Sequence, residues 1–365
     1  MSMTEGPAPV RGEAINLEQR AALSGFVGLS LKNGLLNLVT LTLYRFWGKT
    51  EVRRRVWSST YLNGEPLEYT GRGKDLFMGF LITLAVFGAP FLLVSFTAQL
   101  LGPAVAALII LPLYLVIFFL FGFGMFSAFR YMASRTVWRG IRFEARGSAR
   151  DYALSYIGYA MLSVITAGWF WPAAQRRLAG LLWGSLSFGD RPLRFDIEAA
   201  RKVAVYPAFI LAGVGVGVMY AVIVGVVVLL SIGAKEAGAS PDEISAITAV
   251  AIVVLMLIAA PLMVAVVAPY QAAKLRATAA GLKFDDASFR FDLKWPAMAW
   301  LMFTNVLLLI VSLGFFMPLI QARTIKFLIG RLRSEGLADL AAARQAPQGP
   351  RTAEGLADAF GWAPI

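Results

Sequence analysis

Five stretches of the chain carry no charged residue: 76–129, 152–175, 203–234, 244–273 and 295–322. A helix rises about 1.5 Å per residue, so about 20 apolar residues cross about 30 Å of bilayer hydrocarbon. The first stretch is long enough for two crossings, and Gly102-Pro103 is the natural turn between them. The third and fourth stretches each hold one more. A soluble helical core would show polar faces inside these runs, and they show none. The pattern therefore predicts an all-α polytopic membrane protein. Between the runs, Asn63-Gly64 and Gly189-Asp190 supply the positive φ of tight turns. The alternation that follows each turn predicts short β-hairpins between the helices.

The pattern also repeats. The short apolar stretch 33–47 returns at 159–173 and at 305–319, aligning Asn33 with Asn305 and Thr40 with Thr166 and Ser312. Gly168 then aligns with Gly314, and Pro172 with Pro318. The Asn63–Tyr69 hairpin resembles Gly189–Phe195, and Gly140–Glu144 resembles Gly281–Asp285. Such self-similarity marks a tandem unit: one short Gly/Pro-broken element, a basic segment, a hairpin, two long helices and a strand. The expected division is a disordered tail at 1–25, units at 26–151 and 152–295, a truncated third unit at 296–335, and a disordered tail at 336–365.

Composition sharpens this picture. Of 365 residues, 58% are hydrophobic and 15% charged, against about 45–50% and about 25% in soluble domains. There is no cysteine and no histidine, which excludes disulfides, zinc or haem held by those residues, and His-based acid–base catalysis. No catalytic set, metal site or cofactor is expected. The formal charge of +12 comes from Lys and Arg clustered beside the apolar runs. The opposite turns, at Gly102 and around Ala239, are nearly bare of them. That asymmetry places the basic segments and the C-terminus in the cytoplasm, with anionic phospholipid headgroups rather than nucleic acid as partner.

The run Gly25-Phe26-Val27-Gly28, then Asn33, Leu35, Leu36, Thr40, Leu41, Tyr44, Trp47, Arg53-Arg54-Arg55, Thr60 and Asn63-Gly64 resembles the opening signature of the YjgN-like family. These are bacterial inner-membrane proteins of unknown function. The resemblance is most specific over 26–80. It implies a multi-pass protein of the inner membrane and no activity. Two residues depart from the family pattern: Thr42 stands where glycine is favoured and Phe46 where proline is favoured. The first short element is therefore expected to be straighter than its relatives.

Whether the short elements cross the bilayer decides the architecture. Stretches 152–175 and 295–322 are long enough, whereas the apolar run between Lys32 and Arg45 is not. Crossing elements would invert the two units, as in many transporters, but would put equivalent basic hairpins on opposite sides, against the positive-inside rule. The expectation is four full crossings and three broken or partial ones.

The polar residues expected at membrane depth are Asn33, Thr40, Thr166, Asn305 and Ser312. They are either a shared polar site or caps and interhelical bonds in broken helices. Arg53, Arg54, Arg55, Arg176 and Arg177 either contact lipid phosphate, since guanidinium forks suit it, or simply orient the chain. Gly213 and Gly217, with Gly225 further on, form a small-residue face suited to helix packing or to a homo-oligomer. Two functions follow. One is a transporter- or channel-like domain for a neutral, anionic or lipid-like solute. The other is a non-transporting module that organises anionic lipids or partner proteins.

Overall fold

A computed structural model describes residues 12–345, in which the helices fall into two kinds. The chain opens with α1 (Ser24–Val39) and α2 (Arg45–Ser58), then α3 (Gly73–Thr83), α4 (Ala89–Leu100) and α5 (Pro103–Arg135). Next come α6 (Ala149–Ile165), α7 (Trp171–Trp183), the single-turn-scale α8 (Ile197–Arg201), α9 (Tyr206–Glu236) and α10 (Pro241–Gly281). The series closes with α11 (Trp295–Val311) and α12 (Met317–Ile329). A five-residue π-turn, Leu84–Gly88, joins α3 to α4. It lies just before Pro90, which has no N–H to return to the preceding turn, and a local bulge is the usual accommodation.

The four long rods are Gly73–Leu100, α5, α9 and α10, each long and apolar enough to cross a membrane. They stand as two antiparallel pairs. Gly102, at φ +91°, turns the chain between the first two. The second pair is joined at Ser240, whose hydroxyl and the Glu243 carboxylate cap each other's backbone. In the most apolar window of each rod, at most 12% of the residues are buried inside the protein. So much outward-facing apolar surface needs an apolar solvent. The small residues of α9 divide by face: Gly215 is pressed against Val266 of α10, whereas Gly213, Gly217 and Gly225 meet no neighbouring atoms.

The short elements are helical hairpins. In each, an apolar helix enters, five residues reverse it, and a more polar helix returns. Cross-links between residues on either side of the turn show the reversal: Lys32 to Glu51 at 2.7 Å in the first, Arg177 over the rings of Tyr159 and Phe170 in the second, and Asn305 to Thr324 at 3.1 Å in the third. The three turns share one conformation. Two consecutive residues take positive φ: Leu41 and Thr42, Ala167 and Gly168, Leu313 and Gly314. The first hairpin, expected to be straighter, is not; Thr42 takes φ +71° where the others use glycine. Residues 171–173 and 317–319 open their return helices with proline at the second position, where no N–H is needed.

Three small antiparallel sheets form a base beneath the helices. Glu68–Tyr69, at the foot of α3, pairs with Thr136–Trp138 at the foot of α5. The same sheet continues through Ile141–Ala145 to Leu186–Phe188 and Arg191–Pro192, after α7. A second sheet joins Arg194–Phe195 to Leu282–Phe284 at the foot of α10, then Ala287–Phe291 and Leu332–Glu335 after α12. The feet of the long rods and the ends of all three return helices therefore lead into one layer. Asn63-Gly64 and Arg139-Gly140 make two-residue turns with positive φ at both residues, as expected for the hairpins of this layer.

Three expectations need correction. Residues 12–25, expected as tail, contain strand Leu17–Gln19, paired with Thr60–Leu62, and the start of α1. Residues 336–345 pack rather than trail: Ala338, Leu340 and Ala343 are buried with Trp138 and Phe188. The apolar spacing Ala338, Leu340, Ala343 is the sequence signal that the Ala-rich composition concealed. Residues 1–11 and 346–365 lie outside the described residues. Finally, Gly140 is not the counterpart of Gly281. Gly140 sits in a strand turn, whereas Gly281 ends α10, so the matching short motifs lie one strand apart.

Candidate functional site

The first and third hairpins pack side by side although they lie near opposite ends of the chain. Phe26, Leu29, Val52 and Val56 from the first bury against Leu319, Ala322 and Ile325 of the third. The Ser30 hydroxyl accepts the Leu319 N–H at 3.2 Å, and Lys326 donates to the Ala21 carbonyl at 2.8 Å. Gly34 lies against the Phe315 ring so closely that an added Cβ would come within 2.6 Å of it.

Above this contact, toward the hairpin tips, the two diverge around a cleft of about 440 Å³, within the range of small-molecule sites. One wall is α1, with Asn33, Asn37 and Leu38; another is α2, with Arg45, Lys49 and Val52. The third hairpin contributes Leu313, Phe315, Met317 and Gln321. Asn33 is only 4% exposed. Its Nδ2 faces the Gly48 carbonyl at 3.5 Å, the outer limit of a hydrogen bond, while its Oδ1 has no partner. The Asn37 Oδ1 is likewise buried and unpartnered. Buried side-chain oxygens are nearly always paired, and two such orphans one helical turn apart line the same cleft. The Arg45 guanidinium lies 4.8 Å over Phe46 and 4.9 Å over Phe80 and makes no ion pair among the described residues. The cleft thus has bare acceptors on one wall, cations on the next and apolar surface toward its tips.

Of the five polar residues expected at membrane depth, only Asn33 lines this cleft. Thr40, Thr166 and Ser312 are turn caps: each hydroxyl accepts the N–H four residues on, at Tyr44, Phe170 and Phe316, at 3.0, 3.0 and 3.2 Å. Asn305 bonds Thr324 within its own hairpin, although its Oδ1 is buried without a partner. Among the arginines, Arg53 is buried and donates to the Tyr69 hydroxyl at 3.3 Å, and Arg54 donates to the Gly71 carbonyl at 3.3 Å. Arg55 lies over Phe26. Arg176 and Arg177 lie over Tyr206 and over Tyr159 with Phe170. These five support the fold, and none lines the cleft. Arg54 does line a second hollow with Lys32, Trp47, Glu51, Arg72 and Lys74.

Asn37, Arg45, Lys49 and Gln321 were not singled out by sequence. Asn37 follows Asn33 by four residues, and Lys49 follows Arg45 by four, so each pair shares one helix face. That spacing was the available signal. The pairing of the first hairpin with the third was not, because no local pattern reports a contact across nearly 300 residues.

Comparison with curated proteins and with solved structures returns no match. The family model described as a bacterial protein of unknown function (DUF898) matches residues 17–359, in keeping with the YjgN-like signature, and the chain belongs to that family.

Proposed function

We propose that this protein is a multi-pass protein of the bacterial inner membrane that binds an anionic amphiphile, a phospholipid headgroup, between its first and third hairpins. The observation that carries this reading is an open cleft lined by Arg45 and Lys49 together with two buried, unpartnered Asn oxygens. Cations beside a bilayer favour anionic headgroups, and the exposed tip residues Leu38 and Leu313 offer a surface on which acyl chains can rest. In this arrangement the sheets and basic segments lie in the cytoplasm, the long rods cross, and the three hairpins dip in and return. The alignment of short elements and hairpins supports a tandem origin with parallel rather than inverted units.

Transport through the long rods is the weaker reading. Their apolar windows contain no ionisable residue and are almost wholly outward-facing, whereas ion and proton paths through a bilayer are marked by buried polar or charged groups. Organising lipid at the cytoplasmic face needs no such path.

The test is lipid retention. Protein purified in mild detergent should keep stoichiometric acidic phospholipid, detected by native mass spectrometry. Arg45→Gln combined with Lys49→Gln should release it while the thermal midpoint changes little. Retention of only zwitterionic lipid by the unaltered protein would refute the reading.

A further inference from the structure

The cleft asks for more than a negative charge. Asn33 Oδ1 and Asn37 Oδ1 are acceptors, so what they lack is a donor. A bare phosphate at neutral pH is an acceptor: it suits the Arg45 guanidinium but leaves the Asn33 oxygen without a donor. The Asn33 amide cannot simply flip to meet it, because its nitrogen faces the Gly48 carbonyl, and exchanging the two ends would set oxygen against oxygen. A headgroup ammonium would supply donors, yet it would set a positive charge beside the Arg45 guanidinium, which makes no ion pair among the described residues. Hydroxyl groups meet every requirement: they donate to amide oxygens, carry no charge, and can hang from a phosphodiester that faces the guanidinium.

We propose, building on the headgroup reading above, that the cleft selects phospholipids whose anionic phosphodiester bears a polyol, of which glycerol is the smallest with two hydroxyls. The phosphodiester sits against Arg45 and Lys49. The hydroxyls donate to Asn33 and Asn37. The acyl chains leave past Leu38 and Leu313, which are 68% and 87% exposed at the hairpin tips. That exit commits the ligand to a lipid rather than a soluble phosphodiester, since those tip residues otherwise contribute nothing to binding.

The experiment compares two lipids of equal charge on the full-length protein in phosphatidylcholine nanodiscs. Phosphatidylglycerol has the two hydroxyls; phosphatidylmethanol has none. Native mass spectrometry with each lipid titrated should show phosphatidylglycerol bound about tenfold more tightly, the scale of one or two hydrogen bonds to otherwise unpaired groups. Asn33→Leu combined with Asn37→Leu should bring that ratio to about one without changing phosphatidylmethanol affinity, and either change alone should lower it part of the way. Arg45→Gln should weaken both lipids and leave the ratio standing. Equal affinities in the unaltered protein would overturn the selection for hydroxyls while leaving the headgroup reading intact, and this comparison needs no variant to fold. Failure of both lipids to bind above the phosphatidylcholine background would overturn the headgroup reading itself. Soluble glycerophosphoglycerol that competes as well as the lipid would overturn the role given to the acyl chains.

Discussion

Ser30 on α1 caps a helix that begins 287 residues later: its hydroxyl, fully buried, accepts the Leu319 N–H in the first turn of α12 at 3.2 Å. A first-turn N–H has no partner within its own helix. The cap therefore ties the two hairpins together at the floor of the cleft. Ser30→Ala should lower the unfolding free energy by about 1 kcal/mol, the usual scale of a lost cap, read as a fall in thermal midpoint in detergent. An unchanged midpoint would mean that this N–H finds another partner.

Gly34 sets the spacing of the same interface. Its missing Cβ leaves room for the Phe315 ring, which would otherwise stand 2.6 Å away. Gly34→Ala overpacks a tight contact, an effect of about 1–3 kcal/mol. The loss should be largely recovered by adding Phe315→Leu. A double variant as unstable as Gly34→Ala alone would place the strain elsewhere.

Thr42 is a β-branched residue in a left-handed position, at φ +71°, where the equivalent turns use Gly168 and Gly314. Left-handed backbone disfavours side chains by about 1–2 kcal/mol. Thr42→Gly should therefore stabilise the protein by about 1 kcal/mol after the entropy lost by glycine. Gly168→Ala and Gly314→Ala should each destabilise it by a similar amount. Both glycines have open space around them, so the effect isolates backbone strain from packing.

Asp196 joins the base of the second pair of rods. Its carboxylate receives the Lys283 ammonium at 2.7 Å and caps α8 through the Glu198 and Ala199 N–H groups. The Lys283 hydrogen bond, followed by those from the backbone, holds its carboxyl below the usual aspartate value of 3.8. Because the folded value is depressed, its contribution is complete above pH 3.8 and falls away as the pH drops through the lower folded value. Acid titration followed by circular dichroism should show a shallower loss of stability in this window for Asp196→Asn than for the unaltered chain.

Much of the architecture was legible along the chain because a bilayer is a simple solvent. Charge-free length finds the four rods, and Asn63-Gly64 marks its strand turn through backbone preference alone. The hairpins were harder. Stretches 152–175 and 295–322 have the length to cross, and the reversal at Ala167-Gly168 and Leu313-Gly314 rests on two residues of left-handed backbone. Thr40, Thr166 and Ser312 align because each caps the same turn, the second of the two roles that their alignment allows. The cleft was the least legible part. Asn33 was visible, yet its meaning comes from Phe315 and Gln321, brought beside it by tertiary packing.

In the proposed topology the three hairpins return to the side from which they came, which puts every strand turn on one face of the membrane. The chain has no cysteine, so single cysteines at Asn63, Asp190 and Ala239 can be probed in intact cells with a thiol reagent that does not cross the inner membrane. That topology gives labelling at position 239 alone, between the two long rods of the second pair. Labelling at only one of positions 63 and 190 would place the two basic hairpins on opposite faces, make the short elements true crossings, and overturn that topology.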